Sequence, residues 1–135
     1  MKVQSYLCFE GRTEEALKFY EKAIGAKVDM LMRFKEAPEG TCTPGTEDKI
    51  MHAAFHVGDT QIMASDGRMN PPAKFSGISL ALSAKDEAEA KTLFDGLADG
   101  GQVHMPLAKT FFSPSFGMVG DRFGITWMVM AEPKS

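Results

Sequence analysis

Residues 53–59 read Ala53-Ala54-Phe55-His56-Val57-Gly58-Asp59 and lead into the apolar run Ile62-Met63-Ala64. The closing triplet returns as Val119-Gly120-Asp121, again ahead of an apolar run. Earlier segments repeat in the same order, because Glu15-Ala16 recurs as Glu89-Ala90, and Val28 and Met30 recur as Val103 and Met105. Repeated anchors in one order predict an internal duplication, and so two similar halves.

Periodicity predicts that each half is a strand, a helix and then three strands. In the opening strand, Gln4, Tyr6 and Cys8 share a mixed face, opposite the apolar face of the same segment. Thr13 is a plausible N-cap, and Gly25 is placed to end the helix in a left-handed conformation. The expected elements of the first half are a strand at 3–9, a helix from Thr13 to Gly25, a strand at 28–34, a loop at 35–48 and a hairpin of 50–57 with 60–65.

The second half repeats this order. Ser83 and Asp86 stand at the spacing of a capping box, which predicts a helix from there to Gly100-Gly101. We expect one domain made of two modules, about residues 1–66 and 75–135, with a glycine- and proline-rich linker at 67–74. The strands are expected at 75–82, 103–112, 116–119 and 125–130.

The length, charge and composition of the chain limit the kinds of partner it is expected to bind. A chain of 135 residues is long enough for one domain with a real core. Its formal net charge of -3, without a local basic cluster, argues against nucleic acid as a partner. The N-terminus lacks the pattern of a signal peptide and no apolar stretch has membrane-spanning length, so the expectation is a cytoplasmic protein without a membrane partner. Cys8 and Cys42 have no zinc-ligand spacing and are expected to be reduced.

Several motifs together resemble a known superfamily. They are Tyr6-Leu7-Cys8-Phe9-Glu10-Gly11, the segment from His52 to Asp66, Phe116-Gly117-Met118 and the segment from Asp121 to Trp127. The series resembles the PhnB-like branch of the vicinal oxygen chelate superfamily, which includes glyoxalase I, bleomycin-resistance proteins and extradiol dioxygenases. The resemblance implies an α+β fold in which two βαβββ modules form curved mixed sheets around a cleft. Members of this branch often carry a methyltransferase label, but no glycine-rich cofactor loop stands here between a strand and a helix.

The superfamily binds a divalent metal through residues of the first and fourth strands of each module. By resemblance those positions are Gln4, Met63, Gly77 or Ser79, and Val129. Only Gln4 carries a donor that could coordinate, and a catalytic metal needs three or more nitrogen, thiolate or carboxylate donors. We therefore expect no metal at the usual positions, and a divalent cofactor only if the site has moved.

The resemblance also indicates which side chains line the cleft. His52 and His56 share one strand face and could form a new metal or acid/base site. Alternatively, His52 is held in the sheet by hydrogen bonding and His56 is a surface or cleft-rim residue. Asp66 ends a strand, where a turn-forming role explains it. The expected cleft is largely apolar with a few polar groups, formed by Gln4, Tyr6, Cys8, His52, His56, Met63, Ser65, Ser79, Phe112, Trp127 and Val129.

Three functions compete at this point, and no catalytic residue can be assigned. The first is a small-molecule-binding protein that works without the usual metal. The second is a metal-dependent lyase, isomerase or dioxygenase with a relocated site at His52, His56 and Gln4. The third is an interaction module whose cleft is filled by its own side chains. A homodimer is expected in each case, because relatives pair their sheets across subunits.

Overall fold

The computed structural model describes residues 1–38, 44–67 and 74–133. The chain divides into two compact units, Met1–Ala73 and Lys74–Ser135. Cys42 and most of the expected linker at 67–74 lie outside the described residues. That the two units together form one domain stays a prediction.

The first unit is a four-stranded sheet with one long helix. Strand β1 is parallel to β4, whereas β4, β3 and β2 run antiparallel, in the order β1-β4-β3-β2. A short 3-10 turn at Phe34–Glu36 follows β2. The elements are β1 (Tyr6–Cys8), α1 (Thr13–Ile24), β2 (Lys27–Arg33), β3 (Ile50–Val57) and β4 (Thr60–Ser65).

The second unit has the same arrangement, with the order β5-β8-β7-β6 and with β5 parallel to β8. Each unit is therefore a βαβββ module, and the predicted α+β fold built from two such modules is confirmed. The elements are β5 (Ser79–Ala84), α2 (Glu87–Ala98), β6 (Gln102–Ala108), β7 (Phe116–Gly120) and β8 (Thr126–Ala131).

In each unit the helix packs on one face of its sheet. Tyr20 of α1 stacks on Phe55 of β3 with ring centroids 6.0 Å apart, and Leu17 beside it is buried. In the second unit Phe94 and Leu97 are the buried face of α2. The apolar stripes that predicted these helices thus form the core. We call the opposite side of each sheet, turned away from the helix, the far face.

The predicted helix starts need correction. Helix α1 begins at Thr13, with Arg12 at the cap position and no side-chain cap; the Thr13 N–H donates to Asp66 Oδ1 at 3.0 Å. Helix α2 is capped three residues later than expected, by Asp86 rather than Ser83, since Asp86 Oδ1 accepts from the Glu89 N–H at 2.8 Å. The predicted end of α1 at Gly25 is confirmed, with φ 68°.

Strand pairing shows how the two modules correspond. A β-bulge follows Val28, which pairs with Phe55, and another follows Val103, which pairs with Val119. Val119 is therefore the counterpart of Phe55, not of Val57. The repeated Val-Gly-Asp triplet is two residues out of structural register, because Gly58-Asp59 is a two-residue turn whereas Gly120 still belongs to β7.

The same pairing fixes two positions that the sequence left open or misplaced. Tyr6 pairs with Met63 in the first unit, and Ala81 pairs with Met128 in the second, so Met128 is the counterpart of Met63. Two residues before Tyr6 and Ala81 stand Gln4 and Ser79, which makes Ser79, not Gly77, the counterpart of Gln4. Among the residues that the structure covers, no helix is long and apolar enough to cross a membrane.

Candidate functional site

The far face of the first sheet carries most of the polar candidates. Alternation along β4 and β3 places Gln61, Met63, His52 and His56 on the side away from α1, because Ile62 and Phe55, which alternate with them, are buried on the α1 side. On β1, Tyr6 and Cys8 lie beside Met63 and Ser65. The structure therefore brings together the predicted residues Gln4, Tyr6, Cys8, His52, His56, Met63 and Ser65 on one face.

Tyr6 and His52 form the first polar pair. The Tyr6 hydroxyl and His52 Nδ1 share a hydrogen bond of 3.1 Å, and their ring centroids are 5.6 Å apart. Tyr6 is 46% exposed, so its ring and hydroxyl can be reached from solvent. The pair presents an aromatic surface and a hydrogen-bonding group side by side.

His56 begins a longer chain of hydrogen bonds. Its Nδ1 lies 2.7 Å from Asp29 Oδ1, and Asp29 Oδ2 accepts from Gln61 Nε2 at 3.2 Å. Gln61 Oε1 in turn accepts from Gln4 Nε2 at 3.1 Å. These bonds link four side chains in one continuous chain: Gln4 of the N-terminal segment, Gln61 of β4, Asp29 of β2 and His56 of β3.

The charge of Asp29 settles the direction of its bond to His56. The hydrogen bond from Gln61 is the largest effect and keeps the pKa of Asp29 below its usual range; burial opposes it, and the hydrogen bond and charge of His56 lower the pKa further. An ionised carboxylate can only accept, so His56 Nδ1 donates and, in the neutral ring, Nε2 carries the lone pair.

Sequence reasoning missed Asp29 and Gln61. Gln61 could have been found, because it lies two residues before Met63 and therefore on the same face of β4. Asp29 could not, since in an unbroken strand Val28, Met30 and Met32 would share one face and Asp29 would point to the other. The bulge between Val28 and Met30 breaks this alternation.

Four predicted candidates belong to the second unit. Trp127 and Val129 do not lie on the far face of their sheet: they are 3% and 0% exposed on the α2 side, and Trp127 Nε1 donates to Asp121 Oδ2 at 2.9 Å. On β8 the far face instead carries Met128. The physical reason is strict alternation along the strand: Met128, not Val129, is the counterpart of Met63, and Trp127 and Val129 on either side of it point to the opposite face. Ser79 and Phe112 are exposed.

Asp66 has a structural role. It is 4% exposed, and besides the Thr13 N–H its carboxylate accepts from the Ile50 N–H, at 2.7 Å. Asp66 thus ties the start of α1 to the start of β3, beyond the local turn that the sequence indicated.

A cavity of about 210 Å³ lies on another part of the first unit and contains none of the predicted residues. Two of its charged groups are already paired: Arg33 is bound to Glu14 at 2.6 Å and donates to the Asp48 carbonyl at 2.8 Å. The bond to Glu14 keeps the pKa of Arg33 above its usual value. We place the candidate site on the far face, because there the polar groups retain hydrogen-bonding capacity. The cavity is lined by Gly11, Glu14, Arg33, Gly45, Glu47, Asp48, Lys49, Ile50 and Asp66.

The family's metal positions do not suit a divalent cation. They hold Gln4, Met63, Ser79 and Met128, and thioethers do not replace the missing nitrogen or carboxylate donors. No group of three or more His, Cys, Asp or Glu side chains that could hold a metal occurs within residues 1–38, 44–67 and 74–133. A relocated site is also disfavoured by geometry, since His52 and His56 are four strand residues, or about 13 Å, apart.

Comparison with known proteins agrees with this fold. Residues 1–130 match the family described as 3-demethylubiquinone-9 3-methyltransferase. The chain belongs to this family. The chain is similar to protein PA1353 of Pseudomonas aeruginosa, whose crystal structure superimposes with a TM-score of 0.88 at 40% identity over 99% of both chains.

Two further relatives place the chain within the PhnB-like branch of this family. Protein YjdN of Escherichia coli is 32% identical over 96% of this chain and 94% of its own length. A PhnB protein from Bacillus cereus, named a putative 3-demethylubiquinone-9 3-methyltransferase, is 30% identical, with a TM-score of 0.81 over 97% of this chain and 99% of its own. The predicted PhnB-like branch is confirmed.

More distant solved structures share the fold. A glyoxylase/bleomycin resistance protein/dioxygenase domain from Frankia has a TM-score of 0.69 at 15% identity, over 100% of this chain and 94% of its own. This likeness shows a shared fold, and the chain itself is a PhnB-like member of its family. Between β1 and α1 of this member the sole glycine is Gly11, and none lies between β5 and α2, so neither connection offers a methyltransferase's glycine-rich cofactor loop.

Proposed function

We propose that this PhnB-like protein binds a small organic molecule on the far face of its first sheet, without a metal at the family's positions. The observation that carries the proposal is the pair of anchored polar groups, Tyr6 with His52 and His56 with Asp29, on one sheet face. Met63 lies between them on that face, and Met30 is 40% exposed there. Flexible thioethers beside fixed hydrogen-bonding groups suit a ligand with an apolar body and one or two polar ends.

The first test is a thermal-shift screen of small molecules against the intact protein. A compound at a hundred times its dissociation constant should stabilise the fold by about 2.7 kcal/mol. We expect Tyr6→Phe, which removes only the hydroxyl, to weaken that stabilisation, while the matched control His104→Gln in the second unit leaves it unchanged. A screen in which no compound raises the melting temperature, or one in which both variants respond like wild type, would contradict the proposed face.

Metal content distinguishes this proposal from metal-dependent chemistry. Protein purified without chelators should contain far less than one equivalent of nickel, zinc or iron by elemental analysis. Stoichiometric metal would overturn the proposal.

Two further parts of the proposal concern the setting of the protein. We infer a cytoplasmic location, supported by Cys8, which is a free thiol, as is usual for proteins of a reducing compartment. We also infer a homodimer, supported by the exposed apolar side chains Val28, Met30, Val103 and Met105.

A further inference from the structure

We propose that His56 is a general base that removes a proton from the ligand bound on the far face, with Asp29 as its positioning residue. This inference rests on the proposed ligand site and adds a reaction class to it, namely metal-independent proton transfer.

The geometry of His56 is that of an oriented imidazole. Its Nδ1 is fixed by Asp29 at 2.7 Å, and its Nε2 makes no hydrogen bond to the parts of the chain that the structure describes. The His56 side chain is 38% exposed and that of Asp29 is 33% exposed. A carboxylate on Nδ1 selects the tautomer whose Nε2 accepts a proton, and stabilises the imidazolium that results.

Asp29 is itself held by its surroundings. Gln61 donates to the second carboxylate oxygen and is itself held by Gln4. The bulge in β2 is what directs the Asp29 side chain toward His56, and bulges commonly re-aim a side chain beside an active site. The charged group beside His56 across the strands, apart from Asp29, is Lys27, its exposed neighbour on β2.

Within residues 74–133, the second module lacks the pairing of a histidine with a carboxylate that the first module has between His56 and Asp29. Its counterpart of His56 is Gly120, and the imidazole of His104, from the equivalent bulge, lies over that glycine, where an added Cβ would come within 2.7 Å of His104 Nε2. The second unit thus retains the bulge but has no histidine–carboxylate pair at this place. The pair in the first unit is not a requirement of the fold itself, which favours a chemical role.

The reaction step balances without an added reagent. His56 Nε2 takes a proton from an acidic C–H or O–H group of the ligand, the electron pair of that bond stays on the ligand, and the imidazolium later returns the proton to the product or to water. Isomerisation and elimination are the reaction classes that this step supports.

A general-base probe tests the inference with the full-length protein. In 5-nitrobenzisoxazole, removal of the carbon-bound proton forms the nitrile and breaks the N–O bond, releasing a coloured phenolate. We expect wild type to release it at least about tenfold faster than His56→Gln, since a positioned general base contributes on the order of 10²- to 10⁴-fold. His104→Gln is the matched control and should equal wild type. Equal rates for wild type and His56→Gln would overturn the assignment.

A spectroscopic test addresses Asp29. The ring-nitrogen NMR signals of neutral His56 should show the proton on Nδ1 in wild type, and Asp29→Asn should shift it toward Nε2 and lower the probe rate. A proton on Nε2 in wild type, or signals unaffected by Asp29→Asn, would remove the positioning role. If either of these tests fails while compounds still raise the melting temperature, the general-base role of His56 is wrong and the proposed ligand site stands. If no compound in the thermal-shift screen binds, the proposed ligand site itself is wrong.

Discussion

Asp29 shows what a single residue contributes beyond its place in the sequence. Gln61 and His56 both bind it, and it reaches them only because β2 bulges. The identity of a bulged residue depends on how two strands pair, and strand pairing is set by contacts distant in the sequence. His52 and His56 could therefore be selected as candidates from alternation alone, whereas the carboxylate that orients His56 could not.

The titration of Asp29 can be predicted from its partners. The bond from Gln61 is the largest cause that lowers the pKa of this carboxyl. A depressed pKa means that the carboxylate stabilises the folded state above the pKa of the unfolded chain, and that this contribution is lost as the pH falls through the lower, folded value. Gln61→Ala should raise the pKa of Asp29 toward its usual value, measured by carboxyl-carbon NMR.

The control for that titration is Gln102→Ala, an exposed glutamine on β6 of the second unit, which should leave the Asp29 midpoint where it is. A midpoint that does not move in Gln61→Ala would show that the amide does not govern the carboxyl.

At the scale of elements, the sequence predicted the helices and the β3–β4 hairpin well. It predicted less well which residues of the two modules correspond. The bounds of β3 and β4 were predicted correctly, because alternation and a two-residue turn are local signals. The correspondence between modules was wrong by two residues at Val119, because three identical letters were taken as equivalent positions. The placing of Val129 was a separate error of one residue, since Met128 is the counterpart of Met63 and a one-residue shift moves a side chain to the opposite face.

Helix α2 offers a sharp test of its start. Asp86 accepts from the Glu89 N–H, whereas Ser83, the cap that the sequence suggested, lies within β5. Asp86→Ala should lower the free energy of unfolding by about 1 kcal/mol in urea titrations, the usual value of an N-cap. Ser83→Ala, at an exposed position of the strand, should change it by less than about 0.5 kcal/mol. A larger loss of unfolding free energy in Ser83→Ala than in Asp86→Ala would show that Ser83 caps the helix.

At the scale of the whole molecule, the duplication was the strongest signal in the sequence, and the two βαβββ units confirm it. Duplication of this kind gives each unit a sheet with a helix on one face. It does not require that both far faces keep the same side chains, and here they differ: Tyr6 and His56 correspond to Ala81 and Gly120.

The proposed homodimer is a prediction at this scale. Val28, Met30, Val103 and Met105 are between 37% and 46% exposed, which is unusual for apolar side chains within strands. Sedimentation equilibrium at micromolar concentration should give twice the mass of the 135-residue chain. A monomer under those conditions would contradict the prediction.

The paired bulges at Asp29 and His104 have one more consequence. Strands β2 and β6 are edge strands of their sheets. The backbone N–H and C=O groups along such an edge can hydrogen-bond to a strand of another chain, and repeated addition of chains would extend the sheet without limit. A bulge interrupts the hydrogen-bonding pattern of the edge strand and increases its twist, which makes the edge a poor template for aggregation. The irregularity that sets a carboxylate beside an imidazole in one module therefore also protects both modules from fibrous self-association.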